Sequence, residues 1–178
     1  MTPQLFKIPY SVFNDWNLLQ AFLQRRGNPD YELVGDIDLR WQDNITSLGN
    51  LVQVDGNLNL CGSSIKSLGK LKHVTGNLNL YKTDITDLDE LSYVGRMLNL
   101  NSSSIESVTN LQRVNGELLL RDSNITIIDN VQYIGSYLDV DRRSVTYPTT
   151  KDCWASGLID SPNGNASSCF CLTSDSSP

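Results

Sequence analysis

LVQVDGNLNLCGSSIKSLGK (51–70), LKHVTGNLNLYKTDITDLDE (71–90), LSYVGRMLNLNSSSIESVTN (91–110) and LQRVNGELLLRDSNITIIDN (111–130) are four consecutive copies of one twenty-residue unit. A degenerate copy precedes them from Tyr31, and a decaying one, VQYIGSYLDVDRRSVTYP, follows from Val131. Self-similarity at a fixed period of this kind is the signature of a solenoid, in which each repeat covers its neighbours.

Written as a consensus, the unit is L-x-x-V-x-G-x-L-x-L-x-x-S/T-x-I-x-x-L-x-x, and its six apolar positions run down the chain as columns. In order along the unit they begin at Leu51, Val54, Leu58, Leu60, Ile65 and Leu68 and recur every twenty residues, the fifth and sixth starting one coil earlier at Ile45 and Leu48. The L-x-L core alternates apolar and polar, which is the period of a strand with one buried face. Each coil therefore contributes one short strand, and successive coils stack those strands into a parallel sheet. A lone coil leaves both its faces and its backbone ladder uncovered, so it has no stability of its own.

Two small-residue columns flank the strand. Gly35, Gly56, Gly76, Gly95, Gly116 and Gly135 precede it, shifting by one residue between V-x-G and V-G coils. They mark a corner that requires positive φ or close backbone approach. Ser63, Thr83, Ser103 and Ser123 follow the strand between two inward apolar columns. Small hydroxyls there serve the backbone of the turn, the alternative being a hydroxyl ladder for a ligand or for ice.

On these residues the chain resembles the leucine-rich repeat family. L-x-L-x-x-S/T-x-I-x-x-L follows that pattern, with Ser or Thr where the family usually places Asn or Cys, and the V-x-G-x-L-x-L lead-in is similar to the receptor L-domain branch of right-handed β-solenoids. The resemblance spans residues 31–147. It implies a mainly β fold, a right-handed leucine-rich-repeat-like solenoid with one parallel sheet of five or six short strands. It also implies protein recognition along the strand face without catalysis, and similar short repeats occur in bacterial and phage-encoded proteins.

The ends of such a stack need caps. Residues 1–30 supply a helical one: Ser11 or Asn14 as N-cap, a helix through Gln24, and Val12, Trp16, Leu19 and Leu23 on one stripe widened by Phe13, Leu18 and Phe22. Gly27 is placed at C′ and Pro29 stops the helix. An amphipathic membrane or partner helix is the competing reading; only Arg25 and Arg26 flank it, with Asp15 nearby, which argues against the membrane. Residues 148–178 read as a Ser- and Asn-rich tail, from which Trp154, Leu158 and Ile159 are the residues able to fold back over the last coil.

A net charge of −6 without a basic stripe speaks against nucleic acid as the partner. No apolar run reaches the length of a membrane span, which argues against membrane insertion. The start MTPQLFKIPY lacks the charged beginning and apolar core of a secretory signal, which favours the cytoplasm or an assembled particle over secretion. Cys61 falls on an outward strand position and reads as a free thiol. Cys153, Cys169 and Cys171 lie in the tail without the paired C-x-x-C units of common zinc sites, so they read as reduced thiols, with one disulfide as the alternative and no metal. No cofactor is expected.

Catalysis finds little support. His73, the only histidine, has no Ser or Cys partner and reads as a solvent-facing loop residue. Asp139 and Asp141 share a strand face about 6.5–7 Å apart, between the separations of retaining and inverting glycosidases; two acids on a strand of an acidic protein are ordinarily solvated. Asp87, Asp89 and Glu90 cluster on the opposite loop.

The outward strand positions form three columns: Asn57, Asn77, Met97, Glu117, Tyr137; Asn59, Asn79, Asn99, Leu119, Asp139; and Cys61, Tyr81, Asn101, Arg121, Asp141. Asn59, Asn79 and Asn99 read as a ladder that ties coils together through side-chain amides. Tyr81, Met97, Leu119, Arg121 and Tyr137, with Trp41 in the first coil, are of the residue types enriched at interface cores and form the candidate binding face. The expected function is a non-catalytic protein-recognition module with a protein partner. The alternatives are a structural subunit of a cell-surface or phage particle that docks through the solenoid ends or tail, and a carbohydrate-binding or glycan-cleaving solenoid.

Overall fold

The computed structural model describes residues 5–126, 128, 130–140 and 159–160, the last two by their backbone. The cap comprises β1 (Phe6–Pro9), a 3-10 turn (Tyr10–Val12) and α1 (Trp16–Gln24). The first coil contains β2 (Tyr31–Val34) and β3 (Ile37–Asp38). The next two contribute β4 (Leu51–Asp55) with β5 (Leu58–Asn59), and β6 (His73–Val74) with β7 (Leu78–Asn79). After them come β8 (Tyr93–Val94) with β9 (Leu98–Asn99), β10 (Arg113–Val114) with β11 (Leu118–Leu119), and β12 (Tyr133–Ile134) with β13 (Leu138–Asp139). A final strand, β14, covers Ile159–Asp160.

The fold is a mainly β, parallel-stranded solenoid with one short N-terminal helix, as the repeat predicts. It differs in having two sheets where one was expected. The first runs β1-β2-β4-β6-β8-β10-β12 and the second β14-β13-β11-β9-β7-β5-β3, each seven-stranded and parallel throughout. Each coil gives one strand to each sheet because both flanks of the glycine corner point an apolar residue inward: Val54 and Leu58, Val74 and Leu78, Val94 and Leu98 are all at most 1% exposed. The register is the sequence period itself, with Leu58, Leu78, Leu98, Leu118 and Leu138 as successive partners in the second sheet. On the remaining side, coils bond without regular strands, as from Lys66 N to Thr46 O (2.9 Å) and from Glu106 N to Thr86 O (2.8 Å).

Every described member of the six columns is at most 4% exposed, so the columns are one continuous core. Tyr31 heads the first of them. Burial pushes its phenol up to about 12, so it enters the core neutral, and Gln20 Nε2 donates to its hydroxyl at 3.1 Å.

The glycine column has two causes. Gly35 and Gly56 adopt positive φ, +104° and +152°. From Gly76 onward the constraint is space: a Cβ on Gly76, Gly95, Gly116 or Gly135 would lie within 3 Å of the backbone of the coil before. The hydroxyl column serves the backbone. Ser63, Thr83, Ser103 and Ser123 each donate to the carbonyl three residues earlier, at 2.6–2.7 Å, and the first three are buried. They are held there by a left-handed residue at the preceding position in each coil where that position is described: Trp41, Gly62, Lys82, Ser102 and Asp122 have φ between 52° and 63°. Only Gly62 marks that turn in the sequence.

The cap departs from expectation at its start. Neither Ser11 nor Asn14 caps α1. Asn14 is left-handed (φ 45°), whereas an N-cap residue is extended, and Asp15 (φ −150°) takes the position, its Oδ1 accepting from Leu18 N at 2.9 Å. Because the helix then begins at Trp16, Val12 drops off the stripe and is 68% exposed, as is Leu18 at 61%, while Trp16, Leu19 and Leu23 are buried. The cap also contains a strand, since β1 pairs in parallel with β2, Ile8 opposite Leu33. At the other end β14 pairs with β13, Ile159 opposite Leu138, which adds a strand beyond the readable repeat. Val145, Trp154, Leu158 and the three tail cysteines lie outside the described residues. No described helix is long and apolar enough to cross a membrane.

Candidate functional site

The outward face of the second sheet carries the residues singled out by pattern, and its chemistry changes along the stack. In the first outward column, Asp36 Oδ1 accepts from Asn57 N (2.8 Å) and Nδ2 (2.9 Å). Asn57 Oδ1 accepts from Asn77 N (2.8 Å) and Nδ2 (3.0 Å), and Asn77 Oδ1 accepts from Met97 N (3.0 Å). Each side chain thus caps the next coil, until Met97 offers no amide to continue the series.

This ladder lies one column away from the expected one. Asn59, Asn79 and Asn99 instead turn back on their own coils, their Oδ1 atoms accepting from the N–H groups of Cys61, Tyr81 and Asn101 at 3.0–3.2 Å. The difference lies in the corner. There the backbone N–H of the following coil comes within reach of the first column, whereas the middle column sits mid-strand, where the ladder already uses those groups. At the N-terminal edge of the face, hydrogen bonds from Arg40 hold the Asp38 carboxyl below its usual range.

From Met97 onward the asparagine pattern gives way to large apolar and aromatic side chains interspersed with the charged Glu117, Arg121 and Asp139. Met97, Leu119 and Tyr137 stand partly buried on three successive coils, with Tyr81 on the third column beneath the ammonium of Lys82, 5.2 Å from the ring centroid. Arg121 lies on this face as expected, anchored through its Nε to the Asp139 carboxylate and through its backbone N–H to Asn101 Oδ1 (2.7 Å). Asp139 is accordingly 8% exposed and ion-paired, where a solvated acid was expected; its proposed companion Asp141 lies outside the described residues. Trp41 is not on this face. It occupies the left-handed turn after the first coil's strand, 63% exposed, with its indole over Gly62.

The remaining candidates are engaged in structure. Asp89 Oδ2 accepts from Ser67 Oγ (2.8 Å) and Gly69 N (2.9 Å), Asp87 Oδ1 accepts from Asp89 N (2.8 Å), and Glu90 pairs with Lys72 (3.2 Å). Among the described residues no cluster of three or more His, Cys, Asp or Glu is placed to hold a metal. Cys61 is a partly buried free thiol.

A second outward column escaped the sequence reading. His73 belongs to β6, in a sheet and not a loop, and it continues a row of in-register residues: Gln53, His73, Tyr93, Arg113 and Tyr133. The signal was present at the third position of the unit, but the sliding glycine hid the alternation around Val54, Val74 and Val94.

The geometry defines a two-sheeted parallel β-solenoid with a twenty-residue coil and two differentiated outward faces. Comparison of the chain with protein-family models, with curated proteins and with solved structures finds no match.

Proposed function

We propose that this chain is a non-catalytic protein-recognition module of the leucine-rich-repeat type, binding a protein through the C-terminal half of the second sheet's outward face. The observation that carries the reading is the change at Met97. The Asp36–Asn57–Asn77 side chains satisfy one another and the backbone, whereas Met97 ends that column's ladder and Leu119, in the adjacent column one coil on, adds a second partly buried apolar side chain to the outward face. Large side chains on a preformed sheet lose little conformational freedom on binding, which is where interface energy concentrates.

The test is capture of partners from native lysate on immobilised protein. The paired substitution Leu119→Asp and Tyr137→Ala abolishes retention of the proteins held by wild type while the circular dichroism spectrum is unchanged. Retention by the double variant removes the assignment. An assembly role through the solenoid end is favoured by a separate observation, the exposure of Val12 (68%) and Leu18 (61%) on the cap. The pair Val12→Lys and Leu18→Lys separates the two readings: it disrupts end-to-end docking and leaves strand-face capture intact.

A further inference from the structure

We propose that the first sheet carries a second site, centred on Arg113, that takes the carboxylate of an acidic peptide segment. Tyr93, Arg113 and Tyr133 stand opposite one another on β8, β10 and β12, so their Cα atoms are one strand spacing, about 4.8 Å, apart. The Arg113 guanidinium carbon lies 4.0 Å from the Tyr133 ring centroid. Its Nε donates to Asn115 Oδ1 at 2.6 Å, and Asn115 Nδ2 donates to the Tyr93 hydroxyl at 2.8 Å. The Tyr133 ring has room because residue 135 is glycine; a Cβ there would meet Tyr133 Cε1 at 3.1 Å. One edge of the guanidinium is therefore fixed and one face is stacked. The two terminal amino groups, on an exposed side chain, meet no acceptor among the described residues.

This arrangement is more than an ordinary surface arginine. The long side chain has already lost its freedom to Asn115 and Tyr133, so a ligand does not meet that cost. The free edge is a planar pair of donors, which matches a carboxylate bidentately. Local charge agrees. The segments LKHVTG (71–76), LSYVGR (91–96), LQRVNG (111–116) and VQYIGS (131–136) contain Lys72, His73, Arg96 and Arg113 and no Asp or Glu, in a chain with 20 acidic and 14 basic residues. Nucleic acid is disfavoured, because its affinity comes from many neutralised phosphates and Lys72 is already paired with Glu90. His73, whose ring centroid is 6.0 Å from that of Tyr93, extends an aromatic surface beside the fork. The occupant that fits is a peptide with Asp or Glu at Arg113 and an aromatic or apolar residue against Tyr93 and His73.

The probe is a fluorescein-labelled random Glu/Tyr copolymer, read by anisotropy, with polygalacturonate and a single-stranded oligonucleotide as comparison polyanions. Wild type binds the copolymer, more tightly than either comparison polymer. Arg113→Gln weakens binding about tenfold or more, as loss of charged hydrogen bonds requires. Arg113→Lys does not restore it, because an ammonium lacks the fork. Asn115→Ala weakens it several-fold by releasing the guanidinium, and Leu119→Asp on the other sheet leaves it unchanged. An unchanged far-ultraviolet circular dichroism spectrum and melting temperature confirm that each variant is folded. Absence of copolymer binding, equal binding by Arg113→Gln, or tighter binding of polygalacturonate or oligonucleotide overturns the proposal.

Discussion

Gly95→Ala destabilises the protein by about 3 kcal/mol, the upper part of the range for overpacked sites, whereas Gly49→Ala costs about 1 kcal/mol. The comparison separates two reasons for keeping glycine. Gly49 has φ +61° and no atom within 4 Å of where a Cβ would stand, so alanine there meets only the left-handed backbone. Gly95 has no positive φ, and its Cβ would press on the backbone of Thr75. Withdrawal is blocked from both sides. Gly95 N is bound to Val74 O at 2.8 Å and Arg96 N to Gly76 O at 3.1 Å, while Thr75 N is bound below to Val54 O at 3.0 Å. Separating the coils to admit one methyl group breaks ladder bonds on both sides of the corner. Urea unfolding of the two variants checks this, and equal losses contradict close approach as the cause.

Leu98→Ala costs about 2–5 kcal/mol, while Met97→Ala, one residue away, costs less than about 1 kcal/mol. Leu98 is 0% exposed and sits between Leu78 and Leu118 in the interior row, so truncation leaves a cavity that neighbouring coils cannot close without losing register. Met97 is partly buried on the outward side, and its backbone N–H, the group bound to Asn77, survives the substitution. For a chain of this size the first variant melts roughly 5–15 °C lower than wild type. Similar melting temperatures for the two contradict the assignment of inward and outward positions on which both faces rest.

What could be read from sequence followed from what repeats. The second sheet was legible because L-x-L recurs at the same place in every complete coil, and the interior columns because apolar burial tolerates little else. The first sheet was not: only one inward residue per strand is constant, and the glycine beside it occupies position 95 in one coil and 116 in the next, one step out of phase. Arg113 and Tyr133 were therefore assigned no face. The amide ladder was placed at Asn59 and Asn79 in place of Asn57 and Asn77 because the two columns are identical in composition over those coils. What distinguishes them is proximity to the next coil's N–H at the corner. Trp41 was misplaced for a related reason, since nothing in its residue type announces the left-handed turn that carries it off the strand.

The most direct test of the stack is a methyl nuclear Overhauser experiment on leucine-labelled protein in solution. Cross-peaks linking Leu58 to Leu78, Leu78 to Leu98 and Leu98 to Leu118, with none from Leu58 to Leu98, are the predicted pattern for residues one strand spacing apart per coil. Absence of these sequential contacts, or a Leu58 to Leu98 contact as strong as that from Leu58 to Leu78, contradicts the solenoid and with it both proposed recognition faces.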